Sequence, residues 1–325
     1  MQPIRRAVID VGTNSVKLLV AEVAGREVRP LREESRQTRL GQGFYQTRRL
    51  LDPAIATTAQ AVAEFATIAR QCAAASIRVI ATSAARDALN PEELGSAIEK
   101  TAGLKMEIIS GEREADWAFQ GVTSDARLAE KPLLLLDVGG GSTEFILGQG
   151  ERKHFRQSFP LGTVRLLEAM PPTDPPEPQE LSACRRWLKT FLEKEVRSRL
   201  EPTLRREAER WSGEEAVRLI GAGGTASILA CMEAQLESID RARIESTRLS
   251  FERLREWVER LWSLPLESRK SIIGLPPNRA DVILMGAAIY EAIMAQFGFA
   301  ELGISTRGLR FAAIMGEARD EKISV

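Results

Sequence analysis

The chain has 325 residues, and its 45 lysines and arginines balance its 45 aspartates and glutamates. That length allows about two domains with substantial cores. The neutral balance supplies no global field for nucleic acid or a membrane surface, so a polyanion must be drawn by local basic features. Three scattered cysteines, Cys72, Cys184 and Cys231, and one histidine, His154, leave no basis for a zinc cluster, a multi-histidine metal hydrolase or a Ser-His-Asp hydrolase. Reduced thiols in a cytoplasmic protein are the expectation. The N-terminal M-Q-P-I-R-R lacks the apolar stretch of a secretory signal, and no segment has the apolar length to cross a bilayer.

In chain order, an apolar strand around Val8 ends in Asp10, turns through G12-T-N-S15 and continues as a second apolar strand. Glu27 to Leu40 reads as a further strand region. Asp52-Pro53 opens a long Ala-rich helix to about Ala75, with Asp as N-cap and Pro at the first helical position. R78-V-I-A-T82 is a strand, Pro91 to Thr101 a helix, K105-M-E-I-I109 a strand and Glu112 to Val122 a helix. Strands alternating with helices indicate an α/β lobe. The polar stretch 124–131 is the expected junction.

The chain then repeats its opening. Slid along itself until Asp10 lies on Asp137, V8-I-D-V-G-T-N-S-V-K-L-L-V20 aligns without a gap on L135-L-D-V-G-G-G-S-T-E-F-I-L147. Gly12 falls on Gly139 and Ser15 on Ser142. A turn rich in small residues presents backbone N–H groups that can cradle phosphate oxygens, and an Asp at the strand end can hold a cation against them. Two copies suggest two lobes facing one phosphorylated ligand across a cleft. Beyond the second copy come a proline-rich loop, PPTDPPEP from Pro171 to Pro178, helices from about Gln179 to Trp211, a strand V217-R-L-I-G221, and an apolar helix from about Arg279 to Gln296. The Arg-rich helices around Arg205, Arg206, Arg241, Arg243 and Arg248 read as a solvated face.

Hydrolysis of a phosphoanhydride needs a positioned water, a group to take its proton, and positive charge on the phosphoryl oxygens. Glu144 follows the second turn where the first copy has Lys17, and Glu114 sits in the first turn of a helix, in S110-G-E-R-E-A115. Arg86, in A81-T-S-A-A-R-D87, offers a planar guanidinium that suits phosphate. A third glycine element, G221-A-G-G-T-A226, fits the dinucleotide fingerprint, with Asp240 at about the ribose position. The segment before Asp240 lacks the β-rich second strand that a dinucleotide fold requires.

The set D10-V-G-T-N-S15, A81-T-S-A-A-R86, S110-G-E-R-E-A115, D137-V-G-G-G-S-T-E144, the segment PLGTVR from Pro160 to Arg165, G221-A-G-G-T225 and S305-T-R-G-L-R310 resembles, in order and over nearly the whole chain, the exopolyphosphatase and guanosine pentaphosphate phosphatase family. That resemblance implies an α/β fold of two ribonuclease H-like lobes, as in actin, the sugar kinases and the heat-shock chaperone ATPases, with an interlobe cleft. The corresponding boundaries are 1–128 and 129–308, with a C-terminal helix over about 309–325 packing back on the first lobe. It further implies Mg²⁺ near Asp10 and Asp137, phosphate on Asn14, Ser15, Gly139, Gly140, Ser142 and Arg86, Glu114 as the base, and Glu144 orienting the water or the metal. Gly223, Gly224 and Thr225 are the candidate nucleoside or phosphate loop. The expected substrates are polyphosphate and guanosine pentaphosphate, without nucleic acid or membrane partners, and a homodimer is compatible with the resemblance.

Arg113 departs from the family, which often has a second acid there. Longer members carry an additional histidine/aspartate metal-hydrolase domain, so this chain resembles the short, two-lobed form. The rival readings are a sugar or acyl kinase, which needs an acceptor besides ATP, and a regulatory nucleotide-binding module of the same superfamily.

Overall fold

The computed structural model describes residues 2–211 and 216–316. Residues 317–325 of the expected C-terminal helix lie outside the described residues. The chain divides into two compact units, with junctions between Ser124 and Asp125 and between Thr306 and Arg307.

The first unit is built on a sheet of β1 (Ile4–Val11), β2 (Ser15–Ala24), β3 (Glu27–Gln37), β4 (Ser76–Ala81) and β5 (Met106–Ile108), in the order β3-β2-β1-β4-β5. β1 to β3 form an antiparallel meander, and β4 and β5 add in parallel beside β1. β1 and β2 are continuously apolar over residues 7–9 and 18–21, because both faces of the sheet are covered there. Alternation sends Ile9, Val11, Val16 and Leu18 to the helices Asp52–Gln71 and Pro91–Ala102, and Val8, Leu19 and Ala21 to a smaller core with Trp117, Leu309 and Phe311. Burying side chains of this size contributes about 1.5–3 kcal/mol each. Leu18→Ala would cost about 2–5 kcal/mol, the transfer term plus a cavity. The long helix begins at Asp52 rather than after it: Leu51 occupies the N-cap position without a side-chain bond, and Pro53 stands in the first turn.

The second unit has β6 (Leu133–Val138), β7 (Thr143–Gln149), β8 (Arg152–Phe159), β9 (Arg218–Ala222), β10 (Arg248–Ser250) and β11 (Glu301–Ile304), in the order β10-β11-β9-β6-β7-β8. Without the short edge strand β10, which runs antiparallel to β11, this is the arrangement of the first unit. The two sheets are the duplicated α/β architecture of the ribonuclease H-like fold. What differs is an insertion between β9 and β11 that includes the helices Gly223–Glu233, Phe251–Ser263 and Ile283–Phe297. The last is buried almost all round, which explains its lack of a polar face. No parallel strand follows the helix Gly223–Glu233 directly, so G221-A-G-G-T-A226 does not open a dinucleotide fold.

Beyond the proline loop, helical structure runs from Pro178 to Arg210, interrupted by a π-helical segment at Leu192–Arg197. Pro202, inside the last part, lacks an N–H and so cannot bond the carbonyl one turn before it. His154, on β8, lies 3.9 Å through Nε2 from buried Glu207 of that helix.

The duplication extends to strand register. Asp10 faces Lys17 across β1 and β2, and Asp137 faces Glu144 across β6 and β7. Each tight turn closes by the same bond: Gly12 N donates to Ser15 O at 3.1 Å, and Gly139 N donates to Ser142 O at 2.9 Å.

Candidate active site

In the first unit the turn after β1 is held from behind. Thr13 O accepts from Gly41 N at 2.7 Å, and Asn14 O accepts from the amides of Thr38 and Arg39, both at 3.1 Å. Gly41 allows this close approach, since a Cβ would lie 2.3 Å from Thr13 Cγ2 and push that side chain aside. With the carbonyls tied back, the N–H groups of Thr13 and Asn14 donate to no acceptor among the described residues. Such paired amides form a concavity for an anion.

Asp10, at the end of β1, is 8 % exposed, and its Oδ1 has no hydrogen-bond partner among the described residues. Burial pushes its carboxyl above the ordinary aspartate value, against the opposing pull of Lys17 and Arg310. Buried Asn14 accepts from Gln37 Nε2 through its Oδ1 at 3.2 Å, while its Nδ2 has no partner among the described residues. Ser15, the first residue of β2, is buried beside them.

Parallel pairing of β4 and β5 brings the ends of two strands together, and with them two residues far apart in sequence. A short helix after β4, Ser83–Asp87, carries Arg86. Helix Gly111–Val122 after β5 carries Glu114, one turn in from Ser110, whose Oγ accepts from Arg113 N at 3.2 Å. Arg86 Nη1 donates to Glu114 Oε2 at 2.9 Å and to Ile109 O at 3.2 Å. Arg113 is engaged elsewhere: its guanidinium pairs with Glu107 at 3.1 Å and stacks 4.6 Å from the centre of Trp117, whose ring Arg78 also faces.

The second unit repeats the turn with different ties. Gly139 O accepts from Thr163 N, Gly140 O from the amides of Val164 and Arg165, and Gly141 O from Arg165 Nε, at 2.8–3.1 Å. These donors belong to the start of helix Thr163–Ala169, within the segment PLGTVR. Gly162 has to be glycine, since a Cβ would lie 2.4 Å from Gly140 O. The amides of Gly140, Gly141 and Ser142 donate to no acceptor among the described residues.

Glu144 is almost fully buried, and its Oε1 accepts from Ser142 Oγ at 2.8 Å and Ser158 Oγ at 2.7 Å. Two hydroxyl donors fix this carboxylate in one orientation. Asp137 at the end of β6 packs against Gly223, whose φ is +80° and where a Cβ would come 2.2 Å from Asp137 Oδ1. Gly224 follows in the first turn of the helix, and Thr225 spends its hydroxyl proton on Val138 O at 3.0 Å. Gly223 and Thr225 therefore shape the ground under Asp137. Behind β6, Tyr290 donates to Leu136 O at 3.4 Å. Burial, and then the Asp137 charge, raise its phenol well above the ordinary value.

Local sequence does not reveal the supporting residues Thr38, Arg39, Gly41, Ser158 and Tyr290. Gly41, in L40-G-Q-G43, is the one available signal, since a glycine can mark a close backbone approach.

The donors fit Mg²⁺. Asp10 offers a hard carboxylate oxygen without a partner among the described residues, and Mg²⁺ commonly takes one or two carboxylates with water and substrate oxygens completing its shell. Among the described residues no group of three or more His, Cys, Asp or Glu side chains gathers as a closed metal cage. No helix of the described residues is long and apolar enough to cross a membrane.

Comparison with known proteins agrees with this arrangement. Residues 19–321 match the model of the Ppx/GppA phosphatase family. Exopolyphosphatase 2 of Mycobacterium tuberculosis is 36% identical over 301 residues, covering 89% of this chain and 89% of that protein. Exopolyphosphatase 1 of Mycobacterium bovis is 30% identical over 322 residues, covering 98% and 89%. Among solved structures, the Aquifex aeolicus Ppx/GppA family member is similar with a TM-score of 0.76 at 27% identity, covering 99% of this chain and all of that one. An exopolyphosphatase from Cytophaga hutchinsonii has a TM-score of 0.85 at 25% identity, covering 99% and 100%. The paired turns, the residues around them and these likenesses lead to one conclusion: the chain belongs to the Ppx/GppA phosphatase family.

Proposed function

We propose that the protein is a phosphoanhydride hydrolase that releases terminal phosphate from inorganic polyphosphate, with guanosine pentaphosphate as a second substrate. The observation that carries this is the duplicated turn, in which tied-back carbonyls leave adjacent amides without an acceptor among the described residues of each unit. The related proteins named exopolyphosphatase support polyphosphate as the first substrate. In the reaction, water oxygen bonds to the terminal phosphorus as the bond to the bridging oxygen breaks. Glu114 takes the proton of that water. Arg86 holds the Glu114 carboxylate and binds phosphoryl oxygens, and the amides of the turn after β1, in the same unit, bind others. Glu144, held by Ser142 and Ser158, orients polar groups beside the second turn. Asp10 and Asp137 are the carboxylates that would hold Mg²⁺, which when bound neutralises phosphate charge.

Guanosine pentaphosphate ranks second because Thr225 of the candidate nucleoside loop spends its hydroxyl proton on backbone. The test is phosphate release from polyphosphate, guanosine pentaphosphate and ATP assayed in parallel with Mg²⁺. Orthophosphate from polyphosphate without any added acceptor supports a hydrolase. Turnover of ATP only when an acceptor is supplied would make the protein a kinase, and ligand binding without turnover would make it a regulatory module.

A further inference from the structure

The segment 38–50 of the first unit joins the phosphate turn to the element carrying Arg86, and two of its residues have left-handed backbones. Arg39 has φ 51° and Arg48 has φ 58°. Glycine and asparagine are favoured in that region, and Arg48 occupies a helix C-cap, after Phe44–Thr47, where glycine is the usual residue. Glycine would serve the cap at Arg48 better, yet that position is arginine, as is the left-handed position 39.

Their placement is specific. Arg39 N donates to Asn14 O in the phosphate turn at 3.1 Å. Arg48 O accepts from Leu89 N at 2.9 Å, and Arg48 Nη2 donates at 3.3 Å to the carbonyl of Asp87, the residue after Arg86. One arginine is therefore anchored at the turn and the other beside Arg86, and both are exposed. In a chain of zero formal net charge, such local features are what can attract a polyanion. Strained conformations persist where function retains them.

We propose that loop 38–50 is a distal subsite for linear polyphosphate, in which Arg39 and Arg48 bind phosphate groups beyond those held at the turn and at Arg86. This rests on the polyphosphate reading above. The guanidinium fork suits phosphate oxygens. A ligand too short to reach the loop gains little from it, so the subsite favours long chains over tripolyphosphate and weakens with salt.

The test measures equilibrium binding of long-chain polyphosphate and of tripolyphosphate to wild type, Arg39→Gly, Arg48→Gly and the double variant, with thermal melting of each. Arg39→Asn and Arg48→Asn serve as second variants that keep a side chain. Each single glycine variant is expected to weaken long-chain binding about threefold to tenfold, the range of a solvent-exposed charged contact. The effect on tripolyphosphate is smaller and Tm is not lowered. Unchanged long-chain affinity in the double variant overturns the proposal. Equal weakening for both ligands with a lowered Tm overturns it too, since that marks damage to the turn. Hydrolysis is followed on the same samples: a wild type that binds but does not cleave overturns the hydrolase reading, while the affinity comparison still decides the subsite. A wild type that binds neither ligand overturns both.

Discussion

Arg86 Nη1 lies 2.9 Å from Glu114 Oε2, a contact between residues separated by 28 positions that exists because β4 and β5 pair in parallel and end side by side. Both side chains are largely buried, so removing one partner leaves the other poorly compensated. Arg86→Met is predicted to lower kcat and to destabilise the first unit by about 1–3 kcal/mol, below the cost of breaking a fully buried pair. Arg86→Lys keeps the charge without the fork that reaches both Glu114 and Ile109 O, and should recover stability better than kcat. Melting curves and steady-state rates on the two variants check this; equal recovery of both would argue that only the charge matters.

Gly223→Ala tests the ground under Asp137. The added Cβ would lie 2.2 Å from Asp137 Oδ1, at a residue whose φ is +80°. The left-handed backbone alone costs about 1–2 kcal/mol, and displacement of the carboxylate by about 1 Å can cost on the order of 10²-fold in rate. Activity is expected to fall further than the stability loss accounts for. A variant with wild-type kcat would detach Asp137 from the reaction.

The thiols differ in reactivity. Burial, with a contribution from Glu291, pushes the Cys184 thiol up to about 12, and burial also raises Cys231, whereas Cys72 is partly exposed. Because the thiolate is the reacting form, a thiol reagent at about pH 8 should modify Cys72 first and reach Cys184 only on unfolding. Mass spectrometry of a labelling time course checks the order, and early modification of Cys184 would contradict the packing of helix Pro178–Phe191.

A pH effect follows from Glu233. Burial opposes its charge, but the hydrogen bonds from Arg253 and Trp257 and the Arg253 charge outweigh it and hold the carboxyl below its ordinary value. Such a lowered group contributes stability above its unfolded value, near about 4.3, which is lost as pH falls through the folded one. Glu233→Gln should therefore cost up to about 1 kcal/mol at neutral pH, a difference that begins to close as pH falls below the unfolded value and is lost through the lower folded one. A Tm difference unchanged between about pH 7 and about pH 3.5 would contradict this.

The repeat in the sequence is enough to place Asp10 on Asp137 and Ser15 on Ser142, and the structure keeps that equivalence down to strand register and turn hydrogen bond. A period-two apolar pattern and a glycine turn are local properties, so they are readable in one dimension. What holds the turns is not local. The amides of Thr38 and Arg39 reach Asn14 O, and Thr163 to Arg165 reach Gly139 and Gly140, only after the sheets have formed. The short helix bearing Arg86 is likewise hidden, since five residues carry too little periodicity to signal a helix. The Arg-rich helices are a solvated face only in part: Arg205 pairs with Glu201 on the surface, whereas Arg241 reaches Thr306 Oγ1 at 2.8 Å in a partly buried site.

The most direct test of the central claim is orthophosphate release from long-chain polyphosphate by wild type and Glu114→Gln, with Mg²⁺ and with ligand binding measured on the same preparations. The amide preserves shape but cannot accept the proton of the attacking water. The account predicts release by the wild type, with a descending ladder of chain lengths on a gel, and a rate about 10²- to 10⁴-fold lower in Glu114→Gln at nearly unchanged affinity. Equal rates in the two proteins would contradict it.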